Sequence, residues 1–235
     1  MNVFYVPNCS GNAEIQLDEN ESNHCIKVLR LRNGEIITMI DGVGGMFQAK
    51  IIDAHHKKCR VEIIESTFTA KPEPFIHIAI APTKNIERLE WFVEKSIEIG
   101  VGMITPLLCD KSERKVVNNE RIEKIVVSAM KQSLNLHKTT LNELTKFADV
   151  LKSMKQTQNF IAHCENTEKQ SLKFACIPQT NTLILIGPEG DFSPKEIELA
   201  TKSGFASVSL GNTRLRTETA GIVACHSIRF LNENK

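Results

Sequence analysis

The pattern of apolar and polar residues changes character near residue 70. Before it, apolar residues fall in short runs at 2–6, 35–40, 46–53 and 58–64. Asp41-Gly42-Val43-Gly44-Gly45 and His55-His56-Lys57-Lys58 separate the later runs as turns. Short strands at a spacing of about ten residues predict a small β-barrel. Within this stretch, Asp18-Glu19-Asn20-Glu21 precedes Cys25, Ile26, Val28, Leu29 and Leu31. That order predicts a short helix with acids in its first turn, where the helix dipole favours them. Pro72 and Pro74 then make a stiff connector, so the predicted domains are 1–70 and 71–235.

Beyond the connector, strands alternate with helices. Apolar runs at 75–81, 103–108, 159–163, 183–186 and 206–210 read as strands, the one at 183–186 buried on both faces. Leu89, Phe92, Val93 and Ile97 line one face of a helix that stops at Gly100. Ile122, Ile125, Val126, Ala129, Met130 and Ser133 keep helical spacing over 121–136, and 147–154 is also expected to be helical. Ser193-Pro194-Lys195-Glu196 has the order of an N-cap, a first-turn proline and a capping-box glutamate. Thr217 is expected to cap the last helix. Such alternation predicts an α/β fold, a parallel sheet with helices on both faces.

Composition narrows the classes. In 235 residues, 41% are hydrophobic and 24% charged, ordinary values for a globular chain with ample core. No apolar run approaches the roughly 20 residues that span a bilayer, and the first residues lack the pattern of a signal peptide. A cytoplasmic protein without a membrane partner is expected. Seven scattered cysteines without Cys-x-x-Cys predict free thiols that act as small core hydrophobes. No metal-spaced cluster and no Ser-His-Asp order occurs, so no metal is expected. The net charge of +1 leaves any RNA contact to local patches. Lys27, Arg30 and Arg32 form one, readable as a phosphate contact or as a solvated helix end.

The chemistry concentrates in the last third. Three loops follow strands, at 162–165, 187–190 and 211–216, and the last two repeat a strand–glycine loop–helix unit. The repeat predicts two loops at the carboxyl ends of neighbouring parallel strands, where open α/β sheets bind ligands. Taken alone, Gly187-Pro188-Glu189-Gly190 is a tight turn; its repetition tilts the reading to a site for a ligand with adenine and charged parts. Neither Gly-x-x-x-x-Gly-Lys nor Gly-x-Gly-x-x-Gly occurs here, and Glu189 and Asp191 would repel phosphate. A sulfonium or an amino group suits the loop better. Arg214, Arg216 and Glu218 read either as an anion clamp, with Glu218 orienting an arginine, or as a surface ion-pair cluster. His77 reads as a core residue, and His163 ends a strand beside the loops.

Leu185-Ile-Gly-Pro-Glu-Gly-Asp-Phe-Ser193, followed by Leu210-Gly-Asn-Thr-Arg-Leu-Arg-Thr-Glu-Thr-Ala220, resembles the small-subunit (16S) ribosomal RNA uracil-N3 methyltransferases, a family of knotted methyltransferases. His24 to Gly34, the Lys84–Arg88 and Glu94–Val101 segments, Pro106 and Ser112-Glu113-Arg114 extend the resemblance over almost the whole chain. It implies a trefoil-knotted parallel sheet preceded by a PUA-like β-barrel, and a homodimer acting on 16S ribosomal RNA or the small ribosomal subunit. It implies S-adenosyl-L-methionine as cofactor, held by Ala162 and His163, by Ile186, Gly187, Glu189 and Gly190, and by Leu210, Gly211, Leu215, Arg216 and Thr217. Arg216 would meet the uracil and Glu218 would orient it. Lys27, Arg30, Arg32, Lys84, Lys111 and Arg114 would bind RNA. One departure stands out: a family Gln-x-x-Arg segment reads Gln132-Ser-Leu-Asn135 here. Two other readings remain, a knotted methyltransferase for a tRNA ribose or base and a non-catalytic RNA-binding assembly factor.

Overall fold

A computed structural model describes residues 2–154 and 156–233. By packing, these divide into two units. The first holds the residues up to Lys71 together with Met130–Lys138; the second holds Pro72–Ala129 and Thr139 onward. The Met130–Lys138 piece has no counterpart in the sequence pattern, where the long helix simply ends.

The first unit is a five-stranded sheet built from β1 (Val3–Tyr5), β2 (Glu14–Gln16), β3 (Ile36–Ile40), β4 (Gly45–Asp53) and β5 (Arg60–Phe68). Its order is β1-β3-β4-β5-β2, with β1 parallel to β3 and the other pairs antiparallel. Register shifts between Gln48 and Ala49 and between Ile51 and Asp53 bend β4 against β5. The sheet closes over one core that includes Phe4, Leu17, Met39, Phe47, Ile51 and Val61. Helix α1 (Glu19–Asn23) is capped by Asp18, whose carboxylate accepts from the Glu21 amide at 2.7 Å, and it runs on into a wider turn, His24–Val28. Arg30 then takes φ 58, a left-handed conformation that a non-glycine residue adopts at a cost of about 1 kcal/mol.

The second unit is an eight-stranded parallel sheet. Its elements are β6 (Ile76–Ile80), α2 (Ile86–Ile99), β7 (Met103–Leu108), α3 (Asn119–Ser133), β8 (Thr140–Leu141), β9 (Thr145–Lys146), α4 (Phe147–Ser153), β10 (Gln158–Ala162), β11 (Gln170–Ser171), α5 (Leu172–Ala175), β12 (Thr182–Ile186), α6 (Pro194–Lys202), β13 (Ala206–Ser209) and α7 (Thr217–Leu231). The order is β11-β13-β10-β12-β6-β7-β8, and β9 pairs with β7. Alternate residues of the central strands face opposite sides. Ile76, Ile78, Ile80, Ile184 and Ile186 join the faces of α2, α3 and α7 in one core. Ala79, Leu183, Leu185 and Ile161 join α4 and α6 in the other. The sheet is therefore covered on both faces, as the alternation predicts.

Three differences from the sequence reading have local causes. α3 stops at Ser133, short of residue 136, because Leu134 turns left-handed at φ 55 and the Asn135 amide reaches back to the Met130 carbonyl at 3.1 Å. β12 and β13 are not neighbours: β10 lies between them and pairs with both. The short pairings β2, β8, β9 and β11 escape pattern reading because two or three residues carry no periodicity.

Two buried positions behave as expected. The seven cysteines are free, and all but Cys164 are buried. His77 is fully enclosed in β6, its Nε2 is 2.8 Å from the Thr105 hydroxyl, and burial drives its pKa down to about 4. It is a neutral core residue.

Candidate active site

The carboxyl ends of β10, β12 and β13 open into one cavity of about 860 Å³. All three candidate loops line it, with Lys111 and Ala220. Its apolar lining includes Ala162, Ile186, Val208, Leu210, Leu215 and Ala220, and glycines, Pro188 and polar residues make up most of the rest. The volume lies within the usual range for ligand sites, roughly 300–1,000 Å³. β10, interposed between β12 and β13, brings the three loops to adjacent strand ends.

The Gly187–Asp191 loop is braced from several sides. Asp191 sits at φ 61, and its carboxylate accepts from the Cys164 amide at 2.7 Å and the Phe192 amide at 2.8 Å. One acid thereby ties the second loop to the first. Glu189 accepts from the Lys84 amide at 2.9 Å. The Lys111 ammonium donates to the carbonyls of Gly190 and Phe192 at 3.0 and 3.2 Å. Phe192 is fully buried behind Gly187, where a Cβ would meet its ring at 3.1 Å. The two acids in this loop are thus committed to backbone amides, and their first role is to hold its shape.

The capping box at α6 forms as predicted: Ser193 Oγ accepts from the Glu196 amide at 3.2 Å and Glu196 accepts from the Ser193 amide at 2.8 Å. Glu196 also accepts from the Asp110 amide at 2.9 Å, while the Ser193 hydroxyl donates to Asp110 at 2.7 Å. In the first loop, the Lys169 ammonium donates to the carbonyls of His163 and Glu165 at 2.8 and 2.6 Å. His163 is buried with both ring nitrogens unpartnered. Burial, and then the Lys169 charge, hold its pKa below the usual value, so the imidazole is neutral.

The third loop, 211–216, differs. Gly211 has φ 136 with open space around it, and Asn212, Thr213, Arg214 and Arg216 are exposed. Its end corrects one expectation. The N-cap of α7 is Arg216, not Thr217; Thr217 is already helical, and its hydroxyl donates to the Gly187 carbonyl at 3.1 Å. The threonine is used to tie the helix start to the second loop, so it does not cap.

Glu218 is buried, with Oε1 3.9 Å from Arg88 Nε and Oε2 unpartnered. Its ion-pair partner is Arg88 on α2, a residue that sequence spacing could not connect to it, and not Arg216. Arg216 makes no ion pair among the described residues and stands free at the helix start. The remaining basic residues divide. Lys84 pairs with Glu113 at 3.0 Å, and Arg114 donates to the carbonyls of Thr83 and Lys84 at 3.0 and 2.7 Å. Arg114 and Lys111 therefore anchor loops, which their charge alone did not reveal. Lys27, Arg30 and Arg32 are exposed in the first unit. Among the described residues no group of three or more His, Cys, Asp or Glu could hold a metal, and no helix is long and apolar enough to cross a membrane.

Comparison with known proteins bears on both units. Residues 71–229 match the model of an RNA methyltransferase domain, and residues 17–64 that of an RNA methyltransferase PUA domain. The chain is 30% identical to "Ribosomal RNA small subunit methyltransferase E" of Buchnera aphidicola, over 91% of this chain and 86% of that protein. Its structure is similar to that of a probable rRNA-methyltransferase from Porphyromonas gingivalis, with TM-score 0.90, 39% identity and 99% and 98% of the two chains covered. It is also similar to the ribosomal RNA small subunit methyltransferase E of Neisseria gonorrhoeae bound to S-adenosyl methionine, with TM-score 0.86, 28% identity and coverage of 99% and 98%.

Proposed function

This chain belongs to the ribosomal RNA small subunit methyltransferase E family of RNA methyltransferases, and on that premise we propose that it transfers a methyl group from S-adenosyl-L-methionine to N3 of a uridine in 16S ribosomal RNA. The observation that carries the reading is the meeting of three parallel-strand ends at one cavity, with the unpaired Arg216 at its edge.

The cavity fits the cofactor. Its apolar lining suits adenine, its volume accommodates a nucleoside joined to an amino acid, and it lacks the lysine-bearing glycine loop of phosphate sites. Ala162 and His163 would hold it from the first loop, Ile186, Gly187, Glu189 and Gly190 from the second, and Leu210, Gly211, Leu215 and Thr217 from the third. When bound, S-adenosyl-L-methionine supplies a methyl group on a positively charged sulfur, open to attack by a nucleophile.

The chain's own task is to make uracil N3 a nucleophile and to aim it. N3 carries a weakly acidic proton, and its release to solvent water leaves an anion spread over the ring. Arg216 can stabilise that anion, and it does so at the N-terminus of α7, where the helix dipole also favours negative charge. Thr217, fastened to Gly187, fixes the start of that helix. Glu218 lies within reach of Arg88 and so places a second guanidinium beside the helix start. The Asp191, Lys111 and Glu189 contacts hold the second loop in shape before any ligand arrives, which spares reorganisation during reaction.

The finer architecture is part of the proposal. The trefoil knot that the resemblance implies is compatible with β10 lying between β12 and β13. Exposed Trp91 on α2 and Phe230 on α7 support a homodimer, in which these side chains would be covered. The first unit serves as a PUA-like RNA-holding domain, with Lys27, Arg30 and Arg32 on phosphates. In the second unit Lys84 is a separate candidate for a phosphate contact, while Lys111 and Arg114 act on RNA through the loops they anchor.

The decisive experiment incubates the protein with labelled S-adenosyl-L-methionine and small-subunit ribosomal RNA, then digests the RNA for nucleoside mass spectrometry. 3-Methyluridine is expected. A ribose-methylated nucleoside in its place, or no transfer at all, would falsify the reading.

A further inference from the structure

The first unit carries three separate basic segments. The turn between β4 and β5 carries His55, His56, Lys57 and Lys58, of which His56 is partly exposed and the others exposed. The loop after Arg30 and Arg32 is stitched to the end of β4: Asn33 Oδ1 accepts from the Ala54 amide at 2.6 Å, and the Gly34 amide donates to the Ile51 carbonyl at 2.8 Å. Lys27, in the wide turn after α1, lies close enough for its charge to act on His56. Lys57 meets Glu19 on α1 at 3.4 Å. The other acids nearby are engaged: Asp53 lies 3.9 Å from Arg60, and Glu35 accepts from the Arg32 amide. Lys27 and Lys57 thus act on His56, Lys58 follows Lys57 in the same turn, and Glu19 is the acid that faces them.

The imidazoles are themselves paired. His55 and His56 stack with ring centroids 5.0 Å apart and planes 23° from parallel. His55 Nδ1 accepts from the Lys57 amide at 3.2 Å, which fixes its ring and leaves its proton on Nε2 in the neutral form. Partial burial, then the charges of Lys27, His55 and Lys57, push the His56 pKa below the ordinary value, and Glu19 pulls the other way. A stacked pair of flat rings among cations has two capacities. It offers an aromatic face to a splayed base and, once His56 is protonated, a further positive charge to phosphates. A bound phosphate would offset the repulsion that now disfavours the proton on His56.

We propose that the His55–Lys58 turn, with Lys27, is an RNA phosphate-binding surface in addition to the Arg30–Arg32 segment, and that RNA binding there takes up a proton on His56. The inference rests on the RNA methyltransferase reading and adds to it a contact surface on another element and a dependence on pH.

The test measures binding of the full chain to labelled single-stranded oligouridylate, whose bases do not titrate in the range used, and methyl transfer to ribosomal RNA in parallel. Wild-type affinity should rise roughly tenfold between about pH 7.5 and 5.5, as His56 charges. The His55→Gln/His56→Gln variant should lose that rise. The His55→Lys/His56→Lys variant should bind tightly across the range. Lys57→Ser/Lys58→Ser should flatten the salt dependence by about 1.4 in log–log slope, at roughly 0.7 per single-strand contact. Affinity for S-adenosyl-L-methionine should stay constant in all of them, which separates lost contacts from lost folding. Unchanged pH and salt slopes in the glutamine and serine variants overturn the proposal. Equal binding of acidic phospholipid vesicles and RNA overturns it as well, as a surface for any polyanion. A chain with the proton linkage but no methyl transfer sinks only the methyltransferase reading; transfer with unchanged binding in the variants sinks only this one.

Discussion

The two glycine loops of the site look alike in sequence and are built in opposite ways. The loop after β12 is held by Asp191, Glu189, Lys111 and the buried Phe192. In the loop after β13, residues 211–216 receive no side-chain hydrogen bond among the described residues, and most of them are exposed. One loop is fixed before anything binds, and the other is free to settle on what arrives. On the proposed reading the braced loop offers the cofactor a preformed shape, while the unbraced one, which would hold the cofactor and also present Arg216 to RNA, is able to adjust. It also teaches that a glycine-rich loop is not a mechanism, because the neighbours decide whether the glycine gives close packing, as at Gly187, or a left-handed bend in open space, as at Gly211.

Substitutions can break this contrast, and the largest effect is expected in chemistry. Arg216→Ala should lower methyl transfer by about 100-fold, the usual loss when one charge-stabilising donor is removed, with the melting temperature unchanged. Near-wild-type turnover would take Arg216 out of the site. Asp191→Ala removes two charge-assisted hydrogen bonds from the braced loop and should cost about 2 kcal/mol in denaturant unfolding, with weaker cofactor binding by calorimetry. If it unfolds like wild type, the bracing is ornamental. Thr217→Val cuts the tie between α7 and Gly187 and should cost about 1 kcal/mol, with a loss of turnover larger than the loss of cofactor affinity. A drop confined to affinity would place the tie on the cofactor side alone. Smallest of all, Asn212→Ala in the unbraced loop should stay within about 0.5 kcal/mol of wild type; a larger change would show that this loop has a brace of its own.

Much of this was written in the chain. The alternation of strands and helices after residue 74 follows from apolar spacing, and the Ser193–Glu196 capping box forms as its residue order dictates. The three loops could be located because each follows an apolar run that ends abruptly. What the chain hid was adjacency. Nothing in the order of the strands says that β10 inserts between β12 and β13, because register and neighbour choice are settled by packing on both faces. For the same reason the pairing of Glu218 with Arg88 was invisible, the two being far apart in sequence and joined only by the packing of α7 on α2. There Gly221 matters, since a Cβ on it would meet the Phe92 ring at 2.5 Å. Spacing also misassigned Thr217, whose residue type suits a cap but whose hydroxyl finds a carbonyl on another loop. Lys111 and Arg114, which the resemblance implies as RNA contacts, also donate to loop carbonyls, and such acceptors are not visible in sequence.

The central place of β10 has a consequence for how the protein is made. Its two sheet partners, β12 and β13, both come later in the chain. During synthesis, which runs from the N-terminus at roughly 5–20 residues per second, β10 therefore emerges with both edges unpaired. Until β12 and β13 follow, this strand is open on both edges to pairing with another copy. The arrangement that gathers three loops at one cavity makes the nascent chain vulnerable at that same strand, and the hazard ends only when β13 docks.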